Sequence, residues 1–307
     1  MGALIGQAGL KRKTGLAMPA LIIGANIPDI DAACFFWLDG VEHLAFRRGI
    51  THGPPAMILL PLILAGMLRG FDRWQQSRGK RPEKRLPVSF GWLFALSLVG
   101  CLSHPALDWL NVYGVRLLEP FSSQWFYGDV LFIIDVWLWG LLGFATWWSL
   151  RQERKGGDWQ RTGRQALAIA LAYIGLNAAI TYNNETVQGA LLEPYPRVAI
   201  ASPVPAAFWQ RERIIQTEDG KWYSDSWAGP RLGALDYRAP ESPRCAIPAQ
   251  AAGLSADAAA FLFWSRAPFA ERGEDGTVIL RDARFYDPRA RDRFSVVLPE
   301  GTTCRES

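Results

Sequence analysis

Aspartates and histidines gather in three separated segments near the start of the chain. Asn26-Ile27-Pro28-Asp29-Ile30-Asp31 comes first, Arg47-Arg48-Gly49-Ile50-Thr51-His52-Gly53 second, and Ser103-His104-Pro105-Ala106-Leu107-Asp108 third. Asp29 and Asp31 alternate, so a bent loop lets both approach one ion or two adjacent ions. His104 and Asp108 are four apart, and a helix beginning at Pro105 would point them to the same side. Each segment adjoins an apolar run, and ionisable groups beside membrane segments are read as functional by default. Ligands projecting inward from different helices are how a helical bundle builds a metal site. Each motif alone is weak: Asp-x-Asp is common in loops, and a histidine near a helix end often only caps it. Their joint occurrence is the specific signal. The third histidine, His43 beside Glu42, reads as a surface residue or a lower-ranked ligand.

The elements that must position these groups are membrane helices. Residues 14–28, 49–68, 86–107, 130–150 and 165–184 lack Lys, Arg, Asp and Glu, except for Asp135. A bilayer core needs about 20 mostly apolar residues per helix. Three of the segments reach that length. The first two are expected to tilt, to re-enter, or to be buried among the rest. A soluble helix would show polar faces every turn, and residues 93–99 and 138–144 show none. About five spans follow. Lys and Arg crowd residues 11–13, 69–87 and 151–164, which therefore face the cytoplasm. The loops that hold the histidines then face outward. Trp37, Trp92, Trp109, Trp125, Trp147 and Trp159 fall near the predicted ends, as an aromatic belt places them. A cleaved signal peptide over residues 11–25 is disfavoured, because Asn26-Ile27-Pro28-Asp29 follows in place of a small-residue cleavage site.

From residue 185 the character changes, and the chain divides into residues 1–184 and residues 185–307. The tail carries 17 of the 29 acidic residues and 15 of the 33 basic ones. Strands are expected over residues 197–201, 277–286 and 293–298, and a hairpin of 212–216 with 221–227 turns at Asp219-Gly220. A helix is expected over 255–270, capped by Ser255, with Ala259, Leu262, Phe263 and Ala267 on its buried face. This is a small soluble α+β domain, placed outside the cytoplasm, where Cys245 and Cys304 could pair. Cys34 and Cys101 read as buried thiols. The near-zero mean hydropathy is thus an average of an apolar half and a charged half. The net charge of +4 without a basic patch gives no indication of nucleic acid.

The first two polar segments, together with Ser103-His104-Pro105-Ala106-Leu107-Asp108-Trp109 and Tyr113-Gly114-Val115-Arg116-Leu117-Leu118-Glu119-Pro120-Phe121-Ser122, resemble the YdjM/YbcI family over about residues 1–150. Those are bacterial inner-membrane proteins to which metal-dependent hydrolysis is attributed, distantly grouped with zinc-dependent phospholipase C and P1-type nucleases. The resemblance implies metal-assisted hydrolysis, with Asp29, Asp31, His52, His104 and Asp108 as ligands. Relatives begin upstream with a Leu-Thr-His-like segment. Either the start lies further upstream, giving six spans, or one ligand is lacking. Relatives also carry His where Arg47 stands, which leaves one metal or two open.

A carboxylate and imidazole set suits zinc first, with manganese or magnesium as alternatives. Zinc would supply hydroxide at neutral pH by bringing a bound water to a pKa of about 7. Asp31 or Asp108 is the candidate general base, and Arg48 the clamp for an anionic oxygen. Arg116, Asp129 and Asp135 are supporting candidates, Asp135 as an acceptor orienting a ligating histidine. The expected partners are the lipid bilayer and an amphiphilic or phosphoester substrate. The competing class is a non-catalytic membrane protein or transporter, in which the His/Asp cluster is a polar plug or an ion gate. The absence of two similar halves argues against an inverted-repeat transporter.

Overall fold

The computed structural model describes residues 1–187, 197–218, 222–225, 237–238, 244–245, 247–248, 250–273, 275–286 and 291–303. Its helices are α1 (Gly2–Gln7), α2 (Ala17–Gly24), α3 (His43–Phe46), α4 (Pro54–Ser77), α5 (Phe90–Trp109), α6 (Val136–Arg154), α7 (Trp159–Tyr182), α8 (Ala251–Leu254) and α9 (Ala256–Trp264). Its strands are β1 (Val198–Val204), β2 (Ala207–Gln216), β3 (Trp222–Asp225), β4 (Tyr237–Arg238), β5 (Arg244–Cys245), β6 (Pro268–Arg272), β7 (Val278–Asp282) and β8 (Ser295–Val297). The chain forms two compact units. Met1–Asp31 and Arg48–Asn177 make the first, and Ala32–Arg47 and Ala178–Ser307 the second.

The span count is lower than the sequence led us to expect. Among the described residues, three helices are long and apolar enough to cross a membrane: Pro54–Ser77, Phe90–Trp109 and Trp159–Thr186. A fourth exists only if α2 and the 3-10 segment Ile27–Phe36, bent by 49°, count as one broken span. The expected span over residues 130–150 is displaced toward the charged loop. Asp135 caps α6 by accepting from Leu138 N–H at 2.8 Å, so the helix starts at Val136. It then runs into Arg151-Gln152-Glu153-Arg154, and Trp137, Trp139, Trp147 and Trp148 lower the hydropathy of the rest.

The first unit is held by close approach of α2 and α5. Its core contains Ala17, Ala20 and Leu21 from α2, Leu64, Ala65 and Leu68 from α4, and Leu93 and Leu96 from α5. A Cβ on Gly24 would lie 2.6 Å from the Ser97 carbonyl, and one on Gly100 would lie 2.7 Å from that of Leu21. Only glycine permits this backbone contact. It brings the loop after α2 beside the last turn of α5, where the polar motifs lie. The α5 helix does not begin at Pro105 as expected but passes through it. The apolar run from Phe90 carries the helix, capped by Ser89, past the one lost hydrogen bond.

In the second unit, two antiparallel four-stranded sheets follow the orders β1-β2-β3-β4 and β5-β6-β7-β8. The expected hairpin pairs Gln216 with Trp222, while its turn residues Asp219 and Gly220 lie outside the described residues. The expected helix over residues 255–270 is too long. Ser255 does cap α9, but the helix ends at Trp264 and Pro268 opens β6. The position before a proline disfavours the helical conformation. The buried face of α9 is Ala258, Phe261 and Trp264, offset from the expected one, because Trp264 stacks on Phe285 and Phe294. The loop carrying α3 is tied here by Val41 N–H, which donates to the Asp257 carboxylate at 2.8 Å. Cys34 and Cys101 are buried thiols, neither of them in a disulfide. Cys304 lies outside the described residues, and so does its expected pairing with Cys245.

Candidate metal centre

Four polar side chains of the first unit converge where α2, the turn before α4, and the end of α5 meet. His52 Nε2 lies 3.2 Å from Asp108 Oδ2, and His104 Nε2 lies 3.3 Å from the same oxygen. Asp29 Oδ2 is 3.5 Å from His104 Nε2. One ligand atom each from Asp29, His52 and His104 fall within 4.8 Å of one another. The two imidazole rings are tilted, with centroids 5.4 Å apart. Local chain design explains the convergence. His104 and Asp108 are one turn apart on α5, and the turn holding His52 is fixed by Gly53 before Pro54 and Pro55, which start α4.

The second nitrogen of each ring is already assigned. His104 Nδ1 lies 2.9 Å from the Ala25 carbonyl, which can only accept. Nδ1 therefore carries a proton, so that in the neutral imidazole Nε2 presents its lone pair to the cluster. The Thr51 hydroxyl donates to Asp31 Oδ2 at 3.0 Å, and its oxygen sits 2.9 Å from His52 Nδ1. With its proton committed to Asp31, that oxygen accepts from Nδ1–H, which again leaves Nε2 bare. Asp31 stands behind His52, 3.6 Å from its Nδ1, and also accepts from Arg48 N–H at 2.7 Å.

The remaining candidates are spread around this centre. The Arg48 guanidinium is held 3.1 Å from Asp108 Oδ1, donates to Asn111 Oδ1 at 2.9 Å and to the Gly114 carbonyl at 3.3 Å, and lies over the Tyr113 ring. Arg116 pairs with Glu119 at 2.8 Å and stacks over Trp125, and burial lowers its pKa. Asp129 is buried in the loop before α6. Asp135 accepts from the Tyr173 hydroxyl at 2.9 Å as well as capping α6. His43 belongs to the second unit, where Nδ1 meets the Gly40 carbonyl at 3.2 Å and burial lowers its pKa. Sequence reasoning assigned no role to Thr51, Asn111 or the Ala25 carbonyl. Thr51 was present in the motif, beside the histidine it orients.

The donor set fits a divalent metal. His52 Nε2, His104 Nε2 and Asp108 Oδ2 are buried, and outside their own cluster they have no hydrogen-bond partner. Buried polar atoms left bare are costly, by about 1–3 kcal/mol each. Three of them facing one point is the arrangement expected of metal ligands. Tetrahedral bonds of about 2.0–2.1 Å place neighbouring ligand atoms about 3.3–3.4 Å apart, close to the 3.2, 3.3 and 3.5 Å that separate the imidazole nitrogens from Asp108 and Asp29.

Comparison with known proteins adds a family. The model of the YdjM inner membrane protein family matches residues 1–184. The chain belongs to the YdjM inner membrane protein family. No curated protein and no solved structure matches. The part assigned to the YdjM family contains every residue of the cluster, and together with the apolar helices it makes this a membrane protein.

One backbone position in this YdjM segment is sterically exacting. A Cβ on Gly53 would fall 1.9 Å from the Glu119 carbonyl oxygen. Gly53→Ala must therefore displace the turn that carries His52. We expect a loss of about 1–3 kcal/mol in stability, with weaker metal retention. Thermal unfolding and metal content of the purified variant check both.

Proposed function

We propose that the protein is an integral-membrane, metal-dependent hydrolase acting on a phosphoester or lipid-linked substrate. The observation that carries this reading is the convergence of the buried atoms of His52, His104 and Asp108, which have no partner outside the cluster. These residues and Asp29 would hold the metal. A divalent ion there, zinc first, supplies a Lewis acid for a phosphoryl or carbonyl oxygen and an activated water at neutral pH. Thr51, Asp31 and the Ala25 carbonyl hold the imidazoles in the tautomer that binds metal. Arg48 balances the charge of Asp108 and presents a fixed cation to an anionic group on the cleft wall. Asp29 is the most exposed carboxylate of the set and the best placed to move a proton. With α6 crossing the bilayer as a shorter span, the basic loops orient the centre toward the extracytoplasmic side of the inner membrane and put residues 185–307 on that side too.

The test is hydrolysis of bis(p-nitrophenyl) phosphate by the detergent-solubilised protein. Activity is expected to fall to background with a strong chelator and to return on adding zinc or manganese. Folded protein that shows no chelator-sensitive activity would favour the plug or ion-gate reading, which the Arg48–Asp108 ion pair also accommodates.

A further inference from the structure

The second unit carries an aromatic patch on the loop that precedes α3. Ala32-Ala33-Cys34-Phe35-Phe36-Trp37-Leu38 holds no charge. Cys34 and Leu44 are buried and fix the loop from beneath. The chain turns tightly over Cys34, whose carbonyl accepts from Trp37 N–H at 3.0 Å and from Leu38 N–H at 2.8 Å. The rings that follow face outward: Phe36 is 91% exposed, Trp37 58% and Phe35 53%. They form one surface with α3. Trp37 meets Phe46 edge-on with centroids 6.0 Å apart, and Phe35 packs on His43 at 4.9 Å with the Arg47 guanidinium over its face. A contiguous apolar patch of this kind marks an interaction surface. The loop is also held rigidly to α9. Val41 N–H donates to the Asp257 carboxylate, and a Cβ on Gly40, at a φ of +53°, would fall 2.4 Å from Asp257 Oδ1.

We infer that this patch is a lipid anchor, seated in the headgroup boundary of the bilayer, that pins the C-terminal domain to the membrane surface. The chain itself keeps the patch there. Phe36 is the last residue of the bent pair formed by α2 and Ile27–Phe36, which together are apolar enough to span, and the next candidate span opens at Pro54. From Phe46 to Pro54 an extended chain reaches at most about 28 Å. Trp and Phe are the side chains that favour this boundary. Asp39, Glu42 and Arg47 of the same loop supply the polar rim that stays in water. A second copy of the chain would have to meet the patch at the same depth, in competition with lipid. The bond from Val41 to Asp257 passes the anchorage to α9. It also requires loop and domain to share one side of the membrane. The helices α4, α5, α6 and α7 lie between them in sequence, and four crossings meet that requirement. The domain thereby gains a second attachment besides its covalent link to α7. None of this depends on the hydrolase reading.

The experiment uses the full chain in nanodiscs of phosphatidylethanolamine and phosphatidylglycerol. The photoreactive p-benzoylphenylalanine replaces Phe36 in one variant and the exposed Asp39 in another. Illumination is expected to give about tenfold more phospholipid adduct at position 36 than at 39, as for a side chain in the acyl boundary against one in water. Hydrogen exchange gives the second reading. Phe36→Ser combined with Trp37→Ser should speed amide exchange over residues 32–47 and α9 about tenfold, because a released loop opens more often. Phe36→Leu combined with Trp37→Leu keeps the patch apolar and should restore the slow exchange. Position 36 without lipid adducts, equal adducts at 36 and 39, or a crosslinked second copy in place of lipid overturns the inference. So does exchange that the serine pair leaves unmoved, or that the leucine pair fails to restore.

Discussion

His104→Ala is expected to remove bound metal and to bring chelator-sensitive hydrolysis to background. Its Nε2 faces Asp108 at 3.3 Å and Asp29 at 3.5 Å, so the substitution empties the middle of the cluster. The effect should exceed the 10–100-fold loss usual for an outer partner of a ligand. Thr51→Val provides that comparison. It keeps the shape of the side chain but removes the hydroxyl that joins Asp31 to His52. About a 10–100-fold fall in metal affinity is expected, with activity recovered at high metal concentration. Equilibrium metal titration with activity on bis(p-nitrophenyl) phosphate separates the two. Equal losses in both variants, or none in either, would contradict the assignment of His104 as ligand and Thr51 as its neighbour's support.

The second large effect lies in the other unit. Arg284→Ala is expected to destabilise the C-terminal domain by about 3–5 kcal/mol, the usual result of stripping one partner from a buried ion pair. The Asp282 carboxylate accepts from Arg284 Nη2 at 2.7 Å and Nε at 2.9 Å, from the Arg284 backbone N–H at 2.8 Å, and from Ser265 Oγ at 2.5 Å. Both side chains of the pair are fully buried. Burial alone would raise the Asp282 pKa, but the Arg284 charge and these hydrogen bonds outweigh it and hold the pKa below the ordinary value. A depressed folded pKa contributes stability above the unfolded value of about 3.9. That contribution is lost as pH falls through the lower folded pKa. The wild-type domain should therefore resist unfolding down to about pH 4 and weaken below it. In Arg284→Ala the carboxylate loses its counter-charge, and the destabilisation should ease on acidification. Urea unfolding of the full chain across that range, followed by tryptophan fluorescence, reads both effects.

The sequence named the polar motifs that the fold gathers, because charged and imidazole groups stand out beside apolar runs. Asp29, His52, His104 and Asp108 lie in three such motifs and meet in the structure. The division of labour inside the cluster was not legible. Whether Asp31 faces a metal or the back of His52 depends on the turn at Gly53, and the partners of Arg48 come from the loop after α5. Periodicity found most elements but not their ends. Asp135 could equally be a buried charge within a span or the cap that starts one, and it is the cap. The loop of residues 32–47 gave no sign of joining the second unit, since the bond from Val41 to Asp257 spans most of the chain.

Elemental analysis of the purified, folded protein tests the central claim most directly. We predict near-stoichiometric divalent metal, zinc first, in the wild-type chain, and little in His104→Ala prepared identically. Wild-type protein that is folded but carries no more divalent metal than His104→Ala, even after incubation with zinc or manganese, would contradict a metal centre at His52, His104 and Asp108.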